Sequence, residues 1–280
     1  MPSPVLATIP GPLAFIGGGN MARSLIGALL RGGTPAGSIA VAEPDAATRA
    51  ALQRDFGVIV HATAAEAASG AVVVVLAIKP QIMKDVCGDI AAAAADSRPL
   101  VVSIAAGIRL AQLESWLGAG LAIVRVMPNT PALIGAGASG LVANAATGPA
   151  QRETAAAILG AAGIIEWIGH EDLMDTVTAL SGSGPAYFFL LVEALEDAAV
   201  AQGLPRDAAR ALAAQTCLGA GRMLVEGGEP PARLRERVTS PGGTTAAALA
   251  AFDAGGLREL VAGAVAAATT RGAELSRQFS

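Results

Sequence analysis

The chain has 280 residues, 53% of them hydrophobic and 3% aromatic, with 34 glycines and a formal net charge of -4. That length suits one large or two modest domains with aliphatic, alanine-rich cores, and two is the expectation. The mild acidity and the lack of a lysine–arginine block exclude an extended nucleic-acid or anionic-membrane footprint, which leaves a small molecule as the partner.

Residues 1–12, "MPSPVLATIPGP", lack the basic start and continuous apolar run of a signal peptide and read as a loose leader. The longest apolar runs, such as "AVVVVLAI" at 71–78, fall far short of a membrane span. A cytoplasmic protein without membrane association is expected. Cys87 and Cys217 have neither disulfide-framework nor metal-ligand spacing, so buried free thiols and no metal site are expected.

"PLAFIGGGNMARSLIGALLRGG" begins as a short apolar strand, turns on glycine and continues with helical periodicity through Met21, Leu25, Leu29 and Leu30. Gly17, Gly19 and Ala22 fill the three places of G-x-G-x-x-G/A. The first permits a tight turn, the second lets backbone approach a pyrophosphate, and the third allows close helix packing. "IAVAEPD" at 39–45 is a second strand, followed by a helix in "RAALQRDFG". "AVVVVLAI", "PLVVSIAAG", "AIVRVMPNTP" and "GASGLVAN" supply further strands, apolar enough for a buried parallel sheet. This alternation predicts an α/β fold whose first part, residues 1–168, is a Rossmann-like doubly wound sheet.

Glu43, at the end of the second strand, fits either an adenosine-ribose contact or a solvated acid of the turn "EPD". It favours NADH over NADPH by repelling a 2′-phosphate, unless Arg49 one helical turn on intervenes. Lys79 in "AIKP" ends a buried strand at the ligand-binding edge, and fits either a cofactor contact or a surface lysine. Asn129 sits between Pro128 and Pro131, placed for a nicotinamide, a substrate or an ordinary turn.

Residues 169–280 carry no strand signal and predict helices at about 171–180, 185–202, 205–226 and 257–277. Alanine-rich helices leave apolar surface bare in a monomer, so a homodimer, or an assembly of dimers, is expected through this half. Tyr187, Phe188 and Phe189 read as core or interface aromatics. "VTSPGGTT" at 238–245 places Ser240, Gly242, Gly243, Thr244 and Thr245 before a short helix. It reads either as an anion cradle or as a serine–proline turn with a threonine cap.

A dinucleotide domain followed by helices suggests hydride transfer. Ketone reduction then needs a general acid, usually histidine or lysine. The lysines are Lys79 and Lys84 and the histidines His61 and His170, so the helical half beyond 170 has neither. A protonated imine would remove that need.

"FIGGGNMA", "AIKP", "VMPNTP", "ALSGSGPAY" and "VTSPGGTT", in this order over nearly the whole chain, closely resemble pyrroline-5-carboxylate reductases. The resemblance implies reduction of L-pyrroline-5-carboxylate to L-proline, the last step of proline biosynthesis, by NADPH or NADH, with a helical dimerisation domain. It places Ile16, Gly17, Gly18, Gly19, Asn20, Met21, Ala77, Ile78, Lys79, Ala105, Ala106, Gly107 and Asn129 at the cofactor. Ser240, Gly243, Thr244 and Thr245, with Glu171 as a neighbour, fall at the substrate carboxylate, and Thr178 at the imine nitrogen as hydrogen-bond partner or proton relay. Thr178 also fits a helix-interior threonine bonded to its own backbone.

Two positions depart from the family pattern. Glu43 replaces a small hydroxyl residue, against the family's usual NADPH preference, and Arg237 replaces a frequent asparagine. A 3-hydroxyacid dehydrogenase of similar layout would carry a lysine in its second domain. A non-catalytic dinucleotide-binding protein would bind cofactor without turnover.

Overall fold

The computed structural model describes residues 9–278; most of the leader expected over 1–12 lies outside the described residues. The chain forms two compact units, one running to Gly182 and taking back the chain from Ala268, the other spanning Ser183–Ala267.

In the first unit, β1 (Leu13–Ile16), α1 (Asn20–Arg31), β2 (Ile39–Ala42), α2 (Ala46–Phe56), β3 (Ile59–His61), α3 (Ala64–Ala68) and β4 (Val73–Leu76) follow in turn. They lead into α4 (Met83–Ser97), β5 (Leu100–Ser103), α5 (Leu110–Leu117), β6 (Ile123–Met127), β7 (Gly137–Ala143), α6 (Pro149–Gly160), β8 (Gly163–Trp167) and the single turn α7 (Met174–Val177). The sheet has eight strands in the order β3-β2-β1-β4-β5-β6-β7-β8. Every pair is parallel except β6 with β7. That antiparallel pair, and the short strands β3 and β8, go beyond what the apolar runs predicted.

Alternate strand residues feed two cores. Leu13, Phe15, Val73, Val75 and Val102 pack on one face with Leu25, Ile26 and Leu29 of α1. Ala14, Ile16, Val74, Leu76 and Val101 pack on the other with Met83, Cys87 and Ile90 of α4. A sheet covered on both faces requires strands that are apolar throughout, which is why those runs lack polar alternation. Local chemistry sets the helix ends: Asp45 accepts from Thr48 N at 2.7 Å to cap α2, and Gly57, at φ +67°, stops it.

The second unit contains α8 (Gly184–Ala201), α9 (Arg206–Glu226), α10 (Pro231–Arg237) and α11 (Thr244–Ala254). The last helix, α12 (Leu257–Gln278), starts in this unit and ends in the first. Pro185 lies in the first turn of α8, and Gly203, at φ +97°, follows its end. Phe188 (60% exposed) and Phe189 (68%) stand open on α8 rather than in a core. Cys87 is buried and Cys217 half-buried, so the expectation of burial holds in full for the first alone. No helix among the described residues is long and apolar enough to cross a membrane.

Candidate functional site

The strand order reverses between β1 and β4, and the carboxyl ends of these strands open there. Ala77 N donates to Ile16 O and Gly17 N to Ala42 O, each at 2.8 Å, so Gly17 is pinned among three strands. Its φ is +100°, and a Cβ on it would lie 2.5 Å from Ala77 O, so both conformation and space demand glycine. A Cβ on Gly18 would lie 2.5 Å from Leu52 Cδ1, whereas Gly19 meets nothing within 4 Å. Gly19 is the N-cap of α1 and offers no side chain to cap it, leaving the first amides of the helix to an outside acceptor.

A groove of about 490 Å³ runs along this edge, lined by Ile16–Gly19, Glu43 and Ala77–Lys79 among others. Open backbone at Gly19, an uncapped helix start and an acid at the end of β2 fit a dinucleotide. A hollow of similar size, about 520 Å³, lies beside Leu13 and Gly32–Pro35 at the opposite end of β1, with no titratable lining side chain. The chemistry-bearing groove is the candidate.

Glu43 is tied down at this edge. Its Oε2 accepts from Gly18 N at 3.1 Å and its Oε1 from Asp45 N at 3.0 Å. Arg49 is held at the same corner, Nη1 donating to Glu43 O and Pro44 O at 2.7 Å each. The guanidinium is thus beside Glu43, as one helical turn of spacing implied, and partly spent on backbone carbonyls.

A second, smaller cavity of about 140 Å³ is lined by Ala106, Gly107 and Thr178, with Pro80, Gln81, Asp175, Gly272 and Leu275. Thr178 opens a π-helical turn, Thr178–Gly182, and its Oγ1 donates to Met174 O at 2.8 Å. Its proton is therefore used by its own backbone, and its lone pairs are left as acceptors. A Cβ on Gly182 would lie 2.5 Å from Met127 Cε, so glycine lets this turn sit against the end of β6. Asn129 fastens the same turn: Nδ2 donates to Ser181 O at 3.0 Å and Oδ1 accepts from Ala138 N at 2.9 Å. Its amide is a brace, with one Nδ2 hydrogen left over.

Glu171 has an interior role. Its Oε1 accepts from Arg125 Nη1 at 2.9 Å and from Leu110 N, at the start of α5, at 2.8 Å. Arg125 is 3% exposed on β6, and its Nη2 stands 3.8 Å from Asp175 Oδ1. Sequence reasoning missed Arg125 and Asp175. The available signal was a lone cation inside the apolar run "AIVRVM", which burial obliges to find carboxylates.

In the second unit, Gly243 N donates to Ser240 O at 3.1 Å across Pro241 and Gly242, the latter at φ +70°. That is a turn needing glycine at its third position. Gly243, not a threonine, is the N-cap of α11, and no side chain caps the helix. The loop therefore presents free amides at a positive helix end beside the Ser240, Thr244 and Thr245 hydroxyls. Arg237 pairs with Glu229. Among the described residues no group of three or more His, Cys, Asp or Glu is placed to hold a metal ion.

A glycine turn at the switch point of a doubly wound sheet, followed by a helical unit, defines a Rossmann-type dinucleotide-binding protein. Residues 12–107 match the family described as NADP oxidoreductase coenzyme F420-dependent, and residues 171–275 the one described as pyrroline-5-carboxylate reductase dimerisation. A pyrroline-5-carboxylate reductase of Pseudomonas aeruginosa is 52% identical over 267 residues, 95% of this chain and 97% of that one. The chain belongs to the pyrroline-5-carboxylate reductase family. The structure of a pyrroline-5-carboxylate reductase from Coxiella burnetii superposes with a TM-score of 0.92 at 41% identity, covering 95% of this chain and 98% of that one. The Plasmodium falciparum pyrroline carboxylate reductase, solved with NADP bound, does so with a TM-score of 0.84 at 30% identity, covering 96% and 100%.

Proposed function

We propose that this chain reduces L-pyrroline-5-carboxylate to L-proline with NADPH or NADH, in the cytoplasm, as a homodimer or an assembly of dimers. The observation that carries this reading is the likeness to a named reductase at 52% identity over 95% of the chain. Residues 1–168 are assigned to cofactor binding and 169–280 to dimerisation and substrate binding.

The amides of Gly17–Gly19 and the start of α1 take the pyrophosphate, Glu43 the adenosine ribose, and Lys79 steadies the same ligand. Ala105–Gly107 border the reactive end, with Asn129 holding the Thr178 turn in place. A reduced nicotinamide held there would supply the hydride to the ring carbon of the C=N bond, whose nitrogen would take up the π electrons. Thr178 presents an acceptor oxygen, so an imine that carries its own N–H proton is the form it can bind. Ser240, Gly243, Thr244 and Thr245 hold the carboxylate by amides and hydroxyls. Glu171 contributes through Arg125, which it anchors.

The test is spectrophotometric consumption of NADH and of NADPH by the purified protein with L-pyrroline-5-carboxylate. Turnover with at least one cofactor is expected; silence with both overturns the reading, and cofactor binding without turnover would favour a non-catalytic role. A 3-hydroxyacid dehydrogenase is disfavoured because neither Lys79 nor Lys84 lies in the second unit.

A further inference from the structure

Three charged side chains line the dinucleotide groove: Glu43, Lys79 and Asp89. Glu43 is bound to Gly18 N and Asp45 N, and Lys79 already has a place at the cofactor. Asp89 has none, and among the described residues its carboxylate enters no ion pair or hydrogen bond. It stands on α4, in a stripe with Ile82 and Val86, which line the same groove. Spacings of four and three residues put these side chains on one face of the helix, while Met83, Cys87 and Ile90 on the adjoining face enter the core. Ile82, 49% exposed, and half-buried Val86 thus form an apolar wall.

A second wall is the start of α3. Glu43 N donates to His61 O at 3.0 Å, which fastens the end of β2 to the end of β3 and sets Ala62, Thr63 and Ala64 beyond Glu43 along the groove. This helix start is closed on itself: Thr63 N donates to Glu66 Oε2 at 3.3 Å and Glu66 N to Thr63 Oγ1 at 3.4 Å. Whereas α1 leaves its first amides to an outside acceptor, α3 spends amides on its own capping box, so this end of the groove suits a neutral ring rather than a second phosphate.

We propose that this end of the groove is the base subsite, with Ile82 and Val86 against the ring face, and that Asp89 selects a purine carrying an exocyclic amino group. This rests on the cofactor placement given above: with the pyrophosphate on Gly17–Gly19 and the ribose at Glu43, the base joined to that ribose falls between the two walls. An ionised carboxylate only accepts hydrogen bonds. It therefore pairs with the amino group of adenine and is repelled by the carbonyl that hypoxanthine carries at the same position. One such bond, partly open to water, contributes about 1 kcal/mol, or about fivefold in affinity.

The test measures binding of NADH and of reduced nicotinamide hypoxanthine dinucleotide to the purified protein, by nicotinamide fluorescence and without substrate. The wild-type protein is expected to bind NADH about fivefold more tightly. Asp89→Asn, whose amide can accept from an amino group or donate to a carbonyl, should bring that ratio close to one. Ile82→Ser should weaken both dinucleotides about fivefold and leave their ratio unchanged. Equal affinities in the wild type, an unchanged ratio in Asp89→Asn, or undiminished binding in Ile82→Ser overturns the proposal. Binding of neither dinucleotide overturns it together with the cofactor placement, whereas equal binding of the two removes Asp89 alone. Turnover with L-pyrroline-5-carboxylate reports separately on the reductase reading.

Discussion

Glu43 holds two backbone amides, Gly18 N and Asp45 N, so its carboxylate is fixed at the edge of the groove, and under the proposed cofactor placement it meets a 2′-phosphate. Glu43→Ser removes that charge and leaves Arg49 at the same corner. The expected result is a rise of about tenfold in the NADPH-to-NADH ratio of kcat/KM, and an unchanged ratio counts against the charge argument. In the proposed mechanism Thr178 acts through a single oxygen, whose geometry its own backbone sets. Thr178→Ala should lower kcat about tenfold or more while the cofactor Kd moves little, and Thr178→Ser should restore much of the rate. Wild-type turnover in Thr178→Ala removes the residue from the mechanism. Cys87 lies on the buried face of α4, where desolvation pushes its thiol up to about 12, so it is inert at neutral pH.

Elements meet at positions that tolerate little substitution. Gly17 joins β1 to α1 at φ +100° under Ala77 O, so Gly17→Ala must strain the backbone and force β4 away. Denaturant unfolding should show a loss of about 2 kcal/mol or more, with weaker cofactor binding. Arg125 ties β6 to the segment 171–175 through Glu171 and Asp175. Arg125→Met leaves both carboxylates without their cation, and a loss of about 3 kcal/mol in unfolding free energy is expected. A loss near zero would mean that water reaches and solvates the two carboxylates. The strand–turn–helix opening was legible because its glycines, apolar strand and helical period lie within one short stretch. Less legible were β3, with three residues, and α10, whose seven residues follow a proline pair. The π-helical turn was also hidden, since "ALSGSGP" advertises a break but not its geometry.

At the scale of the whole molecule, the second unit is a set of helices with apolar side chains turned outward. On α8 alone Phe188, Phe189, Leu190 and Leu191 are exposed, on α9 Leu212 and Leu218, and on α12 Leu260 and Val261. Four consecutive exposed apolar side chains at 188–191 put apolar surface all round that turn of α8, which calls for a cover, and the match over 171–275 to a dimerisation family points to another subunit. Phe189→Glu should shift the sedimentation profile toward monomer and make the melting temperature depend on protein concentration. An unchanged profile would place the interface on another face.

By itself the sequence determined the alternation of strands and helices in the first part, the glycine turn, the dinucleotide edge and the family, because each depends on residues adjacent in the chain. It also showed that the helical half beyond His170 has no lysine or histidine. Only the tertiary structure decided that β7 runs against β6, that Asn129 is a brace, that Glu171 faces inward to Arg125, and that Asp175 shares a cavity with Thr178. Arg125 and Glu171 are 46 residues apart and Asp175 and Ser276 are 101 apart. Local periodicity carries no record of which distant partner a buried charge will meet, because that pairing exists only once the sheet and helices have packed.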